Sequence, residues 1–158
     1  MVHARYGSKD AVLDAVFMRE YMAQLSPDLD PDAAGLQHAL AHFDRIGQLA
    51  REDPEFLRAM FVAAFEAVKT TSPLRDRSFD QLVSGRQKVD AGLRKGIADG
   101  SVRRDVDVDA AVNDISSAVF GIAYHWLVLT TGCDLVHELE CLRARIIRDY
   151  GARSRKRR

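Results

Sequence analysis

The sequence predicts an all-α fold, and three observations carry that reading. Apolar residues recur at three- and four-residue steps through most of the 158 positions, no stretch sustains the two-residue alternation of a strand, and Pro, Gly and acidic cap signals punctuate the periodic runs. The spacing of those signals divides the chain into six helices, with no internal repeat and no low-complexity segment.

The first helix is predicted to open at Ser8, a good N-cap, with Asp10 in the first turn where the helix dipole favours an anion. Val12, Leu13, Val16, Phe17, Tyr21 and Leu25 form its stripe, and Pro27 and Pro31 mark the loop that follows. Leu36, Leu40, Phe43, Gly47 and Ala50 define the second helix. Asp53-Pro54 supplies an N-cap and a proline at the first helical position of the third, whose apolar positions run from Phe56 and Leu57 to Phe65 and Val68. Thr70-Thr71-Ser72-Pro73 is a break. Leu82, Arg86, Val89, Leu93 and Ile97 then share a face of the fourth helix, which stops at Gly100. Asp107 or Asp109 begins the fifth, and its residues 118–129 are apolar nearly all round, so it must be covered on more than one side. Thr130-Thr131-Gly132 ends it, Asp134 can cap the sixth, and Leu135, Leu139, Leu142, Ile146 and Tyr150 carry the last stripe.

A chain of this length with 47% apolar and 29% charged residues has the composition of one globular domain. The net charge of zero is unevenly distributed. Arg153, Arg155, Lys156, Arg157 and Arg158 lie in a tail without acids, which leaves eighteen bases against twenty-three acids in the body. An acidic body repels a phosphate backbone, and a short basic terminal run reads first as a solvated end. Two cysteines, no signal peptide and no apolar run of membrane-spanning length point to a cytoplasmic, reduced protein with no membrane partner.

No catalytic arrangement stands out: there is no Gly-x-Ser-x-Gly elbow, no Gly-rich phosphate loop and no His-Glu-x-x-His pair. The reading is of a protein that is not an enzyme and carries no cofactor. Cys133, His137 and Cys141 stand at four-residue steps, but the outer two would be about 12 Å apart along a helix, too far for one ion, and no metal is expected. His38 and His42 are one turn apart; they can bind a metal, form a polar wall in a pocket, or sit half-exposed on a helix surface. Phe17, Phe43, Phe61, Phe65, Tyr124 and Trp126 are spread over helices expected to face a common interior, which suits either a packed core or a cavity lined by aromatic groups.

Residues 6–13, Tyr6-Gly7-Ser8-Lys9-Asp10-Ala11-Val12-Leu13, resemble the joint of the TetR family of transcriptional regulators, where an aromatic, a Gly-Ser turn, a lysine and an acidic-apolar run close the helix-turn-helix and open the fourth helix. A second stretch, Gly96-Ile97-Ala98-Asp99-Gly100-Ser101-Val102-Arg103-Arg104-Asp105, followed by Asp107 and Ala111, is similar to the turn between that family's seventh and eighth helices, with Ser101-Val102 in the place of a common Glu-Leu. The resemblance then extends over the chain in order. It implies a six-helix effector-binding and dimerisation domain over residues 9–152, a remnant of the DNA-reading head and joint over residues 1–8, and a basic tail over residues 153–158.

The same resemblance implies a small apolar or amphipathic effector in a pocket of Phe17, His42, Phe43, Phe61, Phe65 and Tyr124. It also implies a homodimer in which the last two helices of each copy form a four-helix bundle, through Val119, Ile122, Trp126, Leu135, Leu139, Leu142 and Ile146. Tyr6 and Lys9 fall where phosphate contacts occur in the family. A helix-turn-helix does not fit into residues 1–5, so operator DNA is expected to be a partner only of a fuller N-terminal form. The rival expectation is a headless ligand-binding or dimerisation module that does not itself bind DNA.

Overall fold

The computed structural model describes residues 29–69, 73–129 and 131–152. Five helices account for most of them: α1 Gly35–Glu52, α2 Pro54–Glu66 followed by a 3-10 turn Ala67–Lys69, α3 Pro73–Asp99, α4 Val108–Val128 and α5 Leu135–Tyr150. They correspond to the second to sixth helices expected from the sequence. The helix expected at Ser8, with Phe17, lies outside the described residues, as do Tyr6, Lys9, residues 70–72 and residues 153–158. No strand occurs among the described residues; the one extended pairing is an isolated antiparallel bridge between Val102 and Gly151. No helix among them is long and apolar enough to cross a membrane.

Three helix starts follow from their caps. The Asp53 carboxylate accepts the Phe56 amide at 3.0 Å and Pro54 occupies the first position of α2. Asp107, the earlier of the two candidates, caps α4 by accepting from Ala110 N–H at 3.1 Å. Asp134 caps α5 by accepting from Val136 and His137 at 2.9 and 3.3 Å.

The start of α1 is different. Its N-cap position is Ala34, which has no side-chain acceptor. The first amides are met instead by the far end of α3: Gly35 N–H donates to Asp99 Oδ2 at 2.7 Å and Leu36 N–H donates to Ser101 Oγ at 3.1 Å. Donors that would otherwise be orphans at a helix terminus are thus satisfied across the tertiary structure.

That cross-cap is possible because α1 and α3 meet backbone to backbone, running antiparallel. A Cβ at Gly35 would overlap the amide nitrogen of Gly96, and one at Gly92 would stand 2.5 Å from the amide nitrogen of Ala39. Only glycine permits an approach this close. Gly100, at φ +83°, then turns the chain so that Ser101 can cap α1 and Val102 can be buried against Gly96. The chain beyond α5 closes the same end of the molecule: Arg103 N–H donates to the Tyr150 carbonyl and Ala152 N–H to the Ser101 carbonyl, both at 2.9 Å.

Leu40, Leu49, Leu57, Leu93, Val102, Ile115 and Ile146 are the largest fully buried side chains, so every helix contributes. α1 lies centrally, packed against α3 on one side and α5 on the other. The apolar stripe of α5 therefore faces α1, with Leu139 Cδ1 over the Cα of Gly47 and flanking ion pairs Arg143–Asp44 and Arg51–Glu140. These pairs are solvent-exposed and contribute at most about 1 kcal/mol each.

Two outcomes are expected. Gly35→Ala should cost at least about 3 kcal/mol in urea unfolding, because the helix backbones must separate, whereas Gly47→Ala, whose Cβ would have its nearest neighbour at 4.0 Å, should stabilise by about 0.5–1 kcal/mol. Hydrogen bonds from Ser101 and from the Gly35 and Ser101 amides hold the Asp99 carboxyl below the ordinary carboxylate range. A depressed folded-state value means that its stabilisation is present above that range and lost as the pH falls through the folded value. Thermal melts should accordingly show Asp99→Ala melting below the parent at neutral pH and the two converging in acid.

Candidate ligand cavity

A cavity of about 370 Å³ opens among α1, α2, α3 and α4. It begins where the close contact of α1 and α3 ends, since at His42 and Gly85 a side chain, and no longer bare backbone, fills the gap. α1 supplies His42, Phe43 and Ile46. α2 and the turn after it supply Leu57, Met60, Phe61, Phe65 and Val68. α3 adds Phe79, Leu82, Val89 and a set of polar groups, and α4 adds Ser116, Val119 and Phe120.

The helical repeat explains this convergence. On α2 and the turn after it, positions 57, 61, 64, 65 and 68 recur at three- and four-residue steps and present one face to the interior, while on α3 positions 75, 78, 79, 82, 85, 86 and 89 do the same over four turns. Phe65 meets Phe120 edge-on with ring centroids 6.2 Å apart and an interplanar angle of 82°, a geometry in which a positive ring edge meets a negative face. His42 and Phe43 stand at 6.1 Å and 70°.

Of the residues expected to form the pocket, His42, Phe43, Phe61 and Phe65 line this one cavity. Tyr124 does not line it: its ring packs edge-on against Phe65 at 5.8 Å, but the side chain lies on the outer face of α4, 54% exposed. Phe17 lies outside the described residues.

The residues expected at a dimer interface divide differently. Val119 lines the cavity, and Leu135, Leu139, Leu142 and Ile146 are buried in the protomer's own core, covered chiefly by α1, so none of these five is free to meet a second copy. The apolar stripe of the last helix, expected from the sequence to face a second copy, is covered within the protomer by its own chain. Ile122 and Trp126 are half-buried against that core, and the Arg58 guanidinium stacks over the Trp126 ring at 4.5 Å. What α4 and α5 leave in solvent is another set, with Tyr124, Val128, Leu129 and Ile147 the large apolar members.

The histidines and cysteines resolve into local contacts. Lys95 Nζ donates to His38 Nε2 at 3.1 Å and to the Pro31 carbonyl at 2.6 Å; an ammonium has no acceptor, so His38 is the acceptor in that pair. Cys141 Sγ lies 3.6 Å from His137 Nε2 on exposed surface. Partial burial, and then the charges of Glu138 and Asp134, push the Cys133 thiol up, so it stays protonated at neutral pH. Among the described residues no three His, Cys, Asp or Glu side chains stand together as a metal site.

The sequence reading missed Phe79, Phe120, Arg75, Gln81 and Ser116 as lining residues, and it placed Arg86 on an apolar helix face without giving it a role. No protein family, curated protein or solved structure matches the chain.

Phe65, half-buried and lining the cavity, provides the test. Phe65→Ala should cost less than the about 3–5 kcal/mol typical of a fully packed phenylalanine, and it should change which hydrophobic compounds raise the melting temperature, because it enlarges a space instead of creating one. Thermal-shift screens on the two forms give both readouts.

Proposed function

We propose that this chain is the effector-binding and dimerisation body of a TetR-like, ligand-responsive transcriptional regulator that acts as a repressor. The observation that carries the reading is the aromatic-lined cavity among α1 to α4, whose size and lining suit a small apolar or amphipathic effector. The joint-like motif at residues 6–13 supports it, since a helix opening at Ser8 would precede α1 and make six helices with the five described.

In this proposal the effector enters between the helices and biases the position of the Ser8 helix, which carries the DNA-reading heads of the two protomers. Heads moved out of register with successive major grooves release the operator, so ligand and DNA compete through one two-state element. In this proposal Tyr6 and Lys9 stand at the phosphate-facing edge of the operator contact. The protein acts in the cytoplasm, by binding and not by catalysis.

The homodimer of this proposal uses the outer face of α4 and α5. Tyr124, Val128 and Leu129 are 54, 55 and 50% exposed on or just beyond α4, with Ile147 exposed on α5, and large apolar side chains left in solvent favour a partner surface. Sedimentation equilibrium at micromolar concentration should give a dimer that Tyr124→Glu converts toward monomer with its helical circular dichroism unchanged. Leu139→Glu should instead unfold the chain, because that position is core. A stable parent monomer would remove dimerisation from the proposal, and the absence of any stabilising hydrophobic compound would remove the effector.

A further inference from the structure

The cavity described above has a charge asymmetry that its shape does not require. Its charged lining residues, Arg75 and Arg86, are both cations, and no Asp or Glu lines it among the described residues. The surrounding body is acidic, with eighteen bases against twenty-three acids before the tail, so a positive cavity is not a reflection of overall composition.

Arg86 is the more constrained of the two. It is half-buried between the cavity and a shallow recess beside α4, and its guanidinium donates to the amide oxygen of Asn113, a neutral partner. The two carboxylates that border the same recess, Asp90 and Asp109, are both engaged by Arg94, at 3.0 and 3.1 Å. A guanidinium offers five N–H donors in a fork that matches a carboxylate, and a half-buried one that donates to a neutral amide keeps donors to spare on its cavity side. Arg75 is exposed and lies eleven residues earlier on α3, about 16 Å away along the helix axis, so one small anion does not reach both.

We infer that the ligand of this cavity is an anionic amphiphile, an apolar aryl or alkyl body bearing one carboxylate, with the carboxylate on Arg86 and the body among Phe43, Phe61, Phe65 and Phe120. This inference rests on the effector-cavity reading and narrows it: apolar contacts accept many bodies, and Arg86 selects the charged head. Val89 lies one turn from Arg86 on α3, and Arg86 and Ser116 are polar members of an otherwise mostly apolar lining, so the head group sits where the polar lining meets the apolar body.

The test uses matched pairs that differ only in the head group, 4-phenylbutyrate against 4-phenylbutan-1-ol and octanoate against octan-1-ol, titrated calorimetrically into the full 158-residue chain at neutral pH. The acid of each pair should bind about ten-fold or more tightly than its alcohol, the gain of one charge-assisted contact in a partly desolvated site. Arg86→Met, which keeps the apolar stem, should erase that preference by weakening the acid far more than the alcohol, Arg86→Lys should keep part of it, and Arg75→Met should keep it whole. Equal binding of acid and alcohol to the parent chain would overturn the anionic assignment while leaving the effector cavity standing. A preference that survives in Arg86→Met would overturn the role of Arg86, and binding of neither member of either pair would overturn the cavity reading and this inference together. The parent comparison needs no variant, so a poorly folding substitution does not rescue the idea.

Discussion

The structure depends on the contact of α1 and α3 through bare backbone. Gly35 on one helix and Gly92 and Gly96 on the other leave no room for a methyl group, and this approach brings the end of α3 close enough for Asp99 and Ser101 to cap α1. Steric closeness and hydrogen bonding here are one device. Without the glycines the caps do not reach, and without the caps the first amides of α1 face a tight, partly dry junction unsatisfied, at a cost of about 1–3 kcal/mol each.

The same contact determines where the cavity lies. Two helices held backbone to backbone at one end are separated by side chains at the other, and the change occurs between Gly92 and Gly85 on α3. α2 and α4 bridge the widened end, but their phenylalanines meet at ring edges and leave about 370 Å³ between them. A packed end and an open end within one pair of helices suit a protein whose ligand must alter part of the structure and leave its foundation in place. The proposed regulator, with an effector among α1 to α4 and a partner on α4 and α5, makes use of that division.

The helices were legible from the sequence because their signals are local. Asp53-Pro54, Asp107 and Asp134 act on amides two or three residues away; Asp53 and Asp134 cap the helices expected of them, and Asp107 is the one of two candidates that does. The run from Gly96 to Val102 was legible as a family-like motif, but its physical work, the close packing and the cross-cap, involves Gly35 and Leu36 more than sixty residues away and leaves no local trace. The stripe on α5 shows the limit most clearly. Leu135, Leu139, Leu142 and Ile146 announce a buried face without naming what buries it, and α1 of the same chain fills the place assigned to a second copy. Arg86 was visible as a cation on the apolar face of Leu82, Val89 and Leu93, a local conflict of the kind that marks binding sites, and its neighbours become known only when α4 is in place.

The central claim is that a packed glycine junction and an open apolar cavity coexist along α1 and α3. Xenon tests it directly, because the atom enters dry apolar cavities and ignores filled core. In methyl and aromatic NMR spectra under xenon pressure, the account predicts shifts concentrated at Ile46, Met60, Phe61, Phe65 and Val89, with Leu40, Leu93 and Val102 unmoved. Shifts of equal size at both sets, or none at the first, would contradict it.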